Sequence, residues 1–193
     1  MTFKTTITKE EIAKMPREVF PGRIVVVDTK EGLTEALTYL SSFPEIGFDT
    51  ETRPNFRKNS HHKMSLIQLS VDDVCFLIRL NKFRKIPRML ETFLKNKDIR
   101  KVGLSLRDDF NGLQGLTKIS PHNFIDLQQH VQQFGIDEMS LQKIYAILFG
   151  KRISKSKQLS NWDAVILTEP QMRYAALDAW SCLRIYQFLK QSK

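Results

Sequence analysis

Several features are scarce in this chain of 193 residues, and each scarcity excludes something. There are two cysteines, Cys75 and Cys182, far apart and in no CxxC pattern. They read as small apolar core residues in a reducing compartment rather than as a disulfide framework. No stretch approaches the roughly 18 consecutive apolar residues of a membrane span. The start, "MTFKTTITKEEIAKMP", lacks the apolar run of a signal peptide, so a cytoplasmic location is expected. No internal repeat and no low-complexity linker divides the chain, which favours one domain. Acids are also in short supply, 21 against 30 Lys plus Arg, for a net charge of +9. That balance suits an anionic partner such as nucleic acid, and equally an ordinary basic soluble protein.

What is present is a core and a clear alternation of elements. Apolar residues make up 41% of the chain, enough for a substantial interior. Residues 1–22 read as an N-terminal appendage. Thr8 and Glu11 form a capping-box pattern for a brief helix that Pro16 should stop. "RIVVVD" at 23–28 is a buried strand, and Leu33, Ala36, Leu37 and Leu40 recur at helical spacing. "IGFDTETRPNF" at 46–56 is the second strand. "KMSLIQLSV" and "VCFLIRL" follow as strands around a tight turn at Asp72-Asp73.

"PRMLETFLKN" is helical, "RKVGLSL" at 100–106 is a strand, and "DDFNGLQGL" begins another helix. "NFIDL" is a short strand or an extended piece. "SLQKIYAILFG" is a helix ended by Gly150, and 151–162 is a polar, basic loop. The last helix is the clearest, opened by a Thr168–Gln171 capping box with Pro170 in its first turn. Early strands and later alternating helices predict a mixed sheet flanked by helices, an α/β domain.

Three places carry acids in unusual positions. Asp49 and Glu51 share one face of a strand whose other face buries Ile46 and Phe48. Two adjacent carboxylates repel unless a cation lies between them, and hard ions such as Mg²⁺ or Mn²⁺ take oxygen ligands. A solvated strand end with two acids has the same sequence. Asp108 and Asp109 follow a strand at a helix start, where capping explains one acid and does not choose between them. Tyr174 and Asp178 lie one turn apart, off the apolar stripe of the last helix. Ala175, Ala176 and Ala179 would let that helix approach the sheet closely.

Taken in order, "FDTET", "KVGLSLRDDFNGL" and "YAALD" resemble the three motifs of the DEDD superfamily of 3′-5′ exonucleases, in its Tyr subclass. The likeness runs over about residues 24–190 and extends to "KMSLIQLS" and "LSNWDAVILTEPQMRYAALDAW". It is strongest toward ribonuclease D and the Werner-type helicase-linked exonuclease domains. The resemblance implies a ribonuclease-H-like fold with a five-stranded mixed sheet, and an exonuclease domain at 23–193. It implies that Asp49, Glu51 and Asp178 hold a first metal, and that Asp49 and Asp109 serve a second. It also picks Asp109 over Asp108, and has Tyr174 orient the attacking water. The implied cofactors are two divalent cations, Mg²⁺ or Mn²⁺, and the partner is a single-stranded or frayed 3′ end of DNA or RNA. Where many proofreading members carry Asn, four residues before the motif-two Asp, this chain has Ser105.

The nucleic-acid candidates are Thr50, Lys63, Lys155, Lys157 and Arg173. Lys151, Arg152, Lys155 and Lys157 make a loop that could track phosphates or simply be solvated. His61 and His62 read as loop residues and not as ligands. The expected activity is metal-dependent release of nucleoside monophosphates from 3′ ends, DNA slightly favoured. The alternatives are RNA 3′ trimming and a nucleic-acid-binding module without catalysis.

Overall fold

The computed structural model describes residues 2–55 and 62–192. Six strands form one sheet in the order β1-β4-β3-β2-β5-β6. They are β1 (Arg23–Val27), β2 (Glu45–Thr52), β3 (Met64–Ser70), β4 (Val74–Arg79), β5 (Arg100–Gly103) and β6 (Phe124–Asp126). Only β3 runs against its neighbours, so the sheet is mixed. The expected five strands are therefore six. Three residues are too few for an alternating pattern to declare itself, and β6 exists because it pairs in parallel with β5. The strand expected over 100–106 stops at Gly103, and the chain turns into α4 (Leu106–Gln114) three residues later.

Helices cover both faces. On one lie α2 (Lys30–Leu40), α3 (Arg88–Lys95) and α4, packed over Ile46, Phe48, Ile67 and Leu69. On the other lie α5 (Leu127–Gln132), α6 (Leu141–Phe149) and α7 (Glu169–Gln191), packed over Leu66, Leu77 and Val102. The α2 stripe Leu33, Ala36, Leu37 and Leu40 is buried, and Thr29 caps the helix through Gly32 N. Gly150 ends α6 with φ +63°. At the α7 start, Gln171 Oε1 accepts from both the Thr168 backbone N–H and its hydroxyl. The short α5 had no periodic signal in the sequence.

The segment before β1 packs into the molecule. Its helix α1 (Lys9–Ala13) has the Thr8–Glu11 capping box, and Ile7 and Ile12 bury against Ala146. Among the described residues no helix is long and apolar enough to cross a membrane.

One contact sets how closely α7 approaches the sheet. A Cβ added to Gly47 of β2 would lie 2.0 Å from the Ala179 carbonyl oxygen of α7. Glycine on the strand and a small residue on the helix thus let α7 press onto β2. Helix residues before Ala179 are then carried to the carboxyl end of β2.

Candidate active site

Asp49 and Glu51 project from the α7 side of β2, opposite the buried Ile46 and Phe48. The close approach of α7 brings Asp178 to them. One carboxylate oxygen from each of Asp49, Glu51 and Asp178 lies within 4.8 Å of the other two. Asp178 is buried, not the surface acid its place off the apolar stripe would allow. Nearly every side of α7 is covered, by the sheet, α5 and α6, so the stripe understated its burial.

Asp109 joins through Thr50, whose hydroxyl donates to its carboxylate. Asp108, its neighbour, is exposed. The placement of α4 has two causes. Phe110 meets Phe124 edge-on at 5.1 Å, and Phe124 meets Phe48 in the same way at 5.0 Å. The Asp126 carboxylate accepts from the backbone N–H groups of Ser105 (3.0 Å), Leu106 (2.9 Å) and Gln128 (3.0 Å). It therefore caps both α4 and α5. Ser105, at the turn, has left-handed geometry with φ 60° and ψ 41°, which Asn tolerates better than Ser.

The electrostatics are those of crowded acids without a counter-ion. Burial, reinforced by Asp178 and Asp109, holds Asp49 well above the usual carboxylate range. Burial and the Asp49 charge push Glu51 up to about 10. Burial raises Asp178 to about 7 despite the opposing Tyr174 hydrogen bond and the Lys155 charge. Burial raises Asp109 to about 6, with Asp108 and Asp126 adding and the Thr50 hydrogen bond opposing. Tyr174 is pushed above its ordinary value by burial and by Asp178 and Glu51. Its hydroxyl acts on Asp178, lowering that acid's pKa against the effect of burial, and its ring lies 6.1 Å from that of buried Trp162.

A cleft of about 360 Å³ opens over this cluster, and its walls include Ser105, Gln128, Gln142, Lys155 and Gln158. The donor set is oxygen only, anionic and mutually repelling, which fits a hard divalent cation. Directly opposite Asp49 on β3 is Gln68, fully buried, with neither amide oxygen nor nitrogen partnered. An unpartnered buried amide on the residue paired with Asp49 is one that an ordered water or an ion's shell would satisfy.

The basic candidates separate. Lys155 lines the cleft. Lys157 is half-buried in the same loop and is not a wall of that cleft. Arg173 is exposed on α7, is not a wall of that cleft, and pairs with Glu169 at 2.7 Å. Lys63 is exposed and lines a different groove. Lys151 pairs with Glu18 at 3.1 Å, and Arg152 donates to the Met15 carbonyl at 3.0 Å. His62 is half-buried, and His61 lies outside the described residues. Sequence reasoning missed Gln68 and Asp126. The signal available for Gln68 was a lone polar residue inside an apolar strand. For Asp126 it was an acid after a β-branched strand, at the start of a helix too short to show.

Acids gathered at the carboxyl edge of a helix-covered mixed sheet define the site of a cation-assisted hydrolase acting on an anionic substrate. The chain belongs to the 3′-5′ exonuclease family, whose model matches residues 24–192. It is 30% identical over 184 residues to the mouse (Mus musculus) bifunctional 3′-5′ exonuclease/ATP-dependent helicase WRN, covering 91% of this chain and 13% of that protein. It is 28% identical over 194 residues to the exonuclease mut-7 homolog of Aedes aegypti, covering 88% of this chain and 27% of that protein. The chain thus spans well under a third of the length of both relatives. Among solved structures, the Aedes aegypti Nibbler EXO domain gives a TM-score of 0.80 at 25% identity, covering 90% of this chain and 91% of that one. Escherichia coli RNase D gives 0.78 at 23% identity, covering 88% and 45%, a likeness of fold. The ribonuclease-H-like fold expected from the motifs is the fold observed, with a sixth strand.

Proposed function

We propose that residues 23–193 are a metal-dependent 3′-5′ exonuclease domain, with 1–22 as its N-terminal appendage. It releases nucleoside monophosphates from single-stranded or frayed 3′ ends, of DNA in preference to RNA. The observation that carries this reading is the meeting of Asp49, Glu51 and Asp178 within 4.8 Å, with Asp109 joined through Thr50.

Asp49, Glu51 and Asp178 would hold one divalent ion, and Asp49 with Asp109 a second; Mg²⁺ or Mn²⁺ suits both. Bound there, two such ions supply charge neutralisation and activate water for phosphodiester hydrolysis. The side chains do the rest. Tyr174 is harder to ionise than a free phenol, so it does not take a proton near neutral pH. It holds a water in line through its hydroxyl, and Trp162 and Asp178 hold Tyr174. Thr50 fixes Asp109, and Lys155 at the cleft wall attracts the phosphate.

The test is incubation with 5′-labelled DNA and RNA oligomers and Mg²⁺ or Mn²⁺, beside Asp49→Ala. A ladder shortening from the 3′ end, faster on DNA and abolished in Asp49→Ala, is expected. No ladder on either polymer, or a ladder that survives the substitution, refutes the reading. A faster ladder on RNA keeps the enzyme class and reverses the polymer preference.

A further inference from the structure

The acid cleft occupies one part of the sheet's carboxyl edge, and a concentration of positive charge occupies another. Lys82, Arg84, Lys85 and Arg88 fall within seven residues, with no acid among them, between β4 and α3. All four are exposed, as is Lys63 at the start of β3. No ion pair among the described residues includes any of the five, whereas Lys151, Arg173 and Arg184 are paired with Glu18 or Glu169. Five exposed cations left without counter-charges repel one another, which costs stability unless an anion binds there.

These residues have a groove. Lys63, Asn81, Phe83, Arg84, Lys85 and Asp163 are among the walls of a cavity of about 360 Å³. Asp163 is the one acid in that lining, and its Oδ1 accepts from the Ser65 hydroxyl at 2.7 Å. Three cations against one hydrogen-bonded acid leave the groove electropositive. Phe83 is half-buried and offers an apolar face on which a base can stack.

Sheet geometry ties the groove to the acids. Glu51 of β2 pairs with Leu66 of β3, and Leu66 pairs with Arg79 of β4, so the three form one row. Two strand spacings separate Glu51 from Arg79, about 10 Å. The basic segment begins immediately after Arg79, in the 3-10 turn Leu80–Lys82. A second ruler agrees. Gly115 and Leu116, at the end of α4, also wall the groove, and Gly115 lies six residues along from Asp109, about 9 Å of helix rise.

We propose that this groove binds the phosphodiester backbone of the same strand whose 3′ end lies in the acid cleft. At about 3.4 Å per nucleotide along a stacked strand, it takes the backbone about three nucleotides upstream of the scissile bond. This rests on the exonuclease reading and adds where the substrate runs. It also distinguishes the Lys63–Arg84–Lys85 side from the Lys155 loop, which borders the terminal nucleotide.

The experiment compares wild type with Arg84→Ala/Lys85→Ala, and with Arg84→Gln/Lys85→Gln as a second form, each checked for an unchanged circular dichroism spectrum. The substrates are a single strand of about twelve nucleotides and the p-nitrophenyl ester of thymidine monophosphate, which is too short to reach the groove. The ratio of kcat/KM on the long strand to that on the ester is expected to fall roughly tenfold. The slope of log binding constant against log salt for the long strand should become shallower by about 1.4, two contacts at about 0.7 each. An unchanged ratio and slope, with both substrates hydrolysed by wild type, overturns the groove and leaves the exonuclease reading intact. On a duplex with a recessed 3′ end, run beside these two substrates, a loss seen there and not on the single strand overturns the same-strand assignment. Wild type that hydrolyses neither substrate overturns both readings.

Discussion

Burial makes each of the four acids harder to ionise, with neighbouring charges adding at Asp49, Glu51 and Asp109, and that has a consequence for stability. Folded values near 6 for Asp109, 7 for Asp178 and 10 for Glu51 lie above the ordinary carboxylate range of the unfolded chain. The folded state therefore binds more protons than the unfolded state across that window. The stabilisation is fully present below about pH 4 and is lost as pH rises through the folded values. Chelator-treated protein is expected to melt at progressively lower temperature from about pH 5 to about pH 8. Mg²⁺ or Mn²⁺ should reverse the loss, most strongly at the higher pH. Thermal melts with and without the ions check this, and a metal-free melting temperature that rises across the window contradicts it. At the same scale, Tyr174→Phe keeps the ring against Trp162 and removes the hydroxyl. It should lower kcat roughly ten- to a hundredfold with little change in KM. Wild-type turnover at neutral pH would end the water-holding role.

Elements place these residues, and α7 is the decisive one. The acids of β2 were legible because alternation along a strand assigns faces from sequence alone. Helical spacing gave Tyr174 and Asp178 a common face. It could not say that the face is buried, because α7 is covered by elements far away in sequence. The contact that buries it is Gly47 against Ala179. Gly47→Ala would put a methyl group 2.0 Å from a backbone oxygen, so helix and strand must part. A cost of about 1–3 kcal/mol is expected from overpacking alone, measured by urea denaturation. Turnover should fall further than stability explains, since Asp178 would withdraw from Asp49 and Glu51. Equal turnover in a folded Gly47→Ala variant would separate the site from this contact.

Across the whole molecule, the N-terminal segment is joined to the helical layer by a buried acid. Glu18 accepts from the Tyr145 hydroxyl at 2.8 Å, Lys151 at 3.1 Å and Arg184 at 2.9 Å. The Arg184 guanidinium also lies over the rings of Trp180, Phe149 and Tyr145. Glu18→Ala leaves these donors without their acceptor and should cost about 2–4 kcal/mol, read as a lower urea midpoint. An unchanged midpoint would mean that water replaces the carboxylate at no cost. The same network accounts for part of the charge balance. In the 151–157 loop Lys151 and Arg152 are engaged with the N-terminal segment, while Lys155 and Lys157, like Lys63 and the basic residues of 82–88, are outside any ion pair among the described residues.

Local features follow from the order of residues alone. These are the face of β2 that carries acids, the points where α2, α6 and α7 begin or end, and the succession of the three motifs. They rest on repeats of two and 3.6 residues and on capping chemistry, which act over a few neighbours. Contacts between distant segments settle the rest. They make Phe124–Asp126 a strand by pairing it with β5, and turn Asp126 into the cap of two helices. They seat the orphaned amide of Gln68 opposite Asp49, and Asp109 against Thr50. They set the basic run after β4 on the same edge as the acids. Strand register and helix approach come from packing across the sheet, so no window of neighbouring residues contains them.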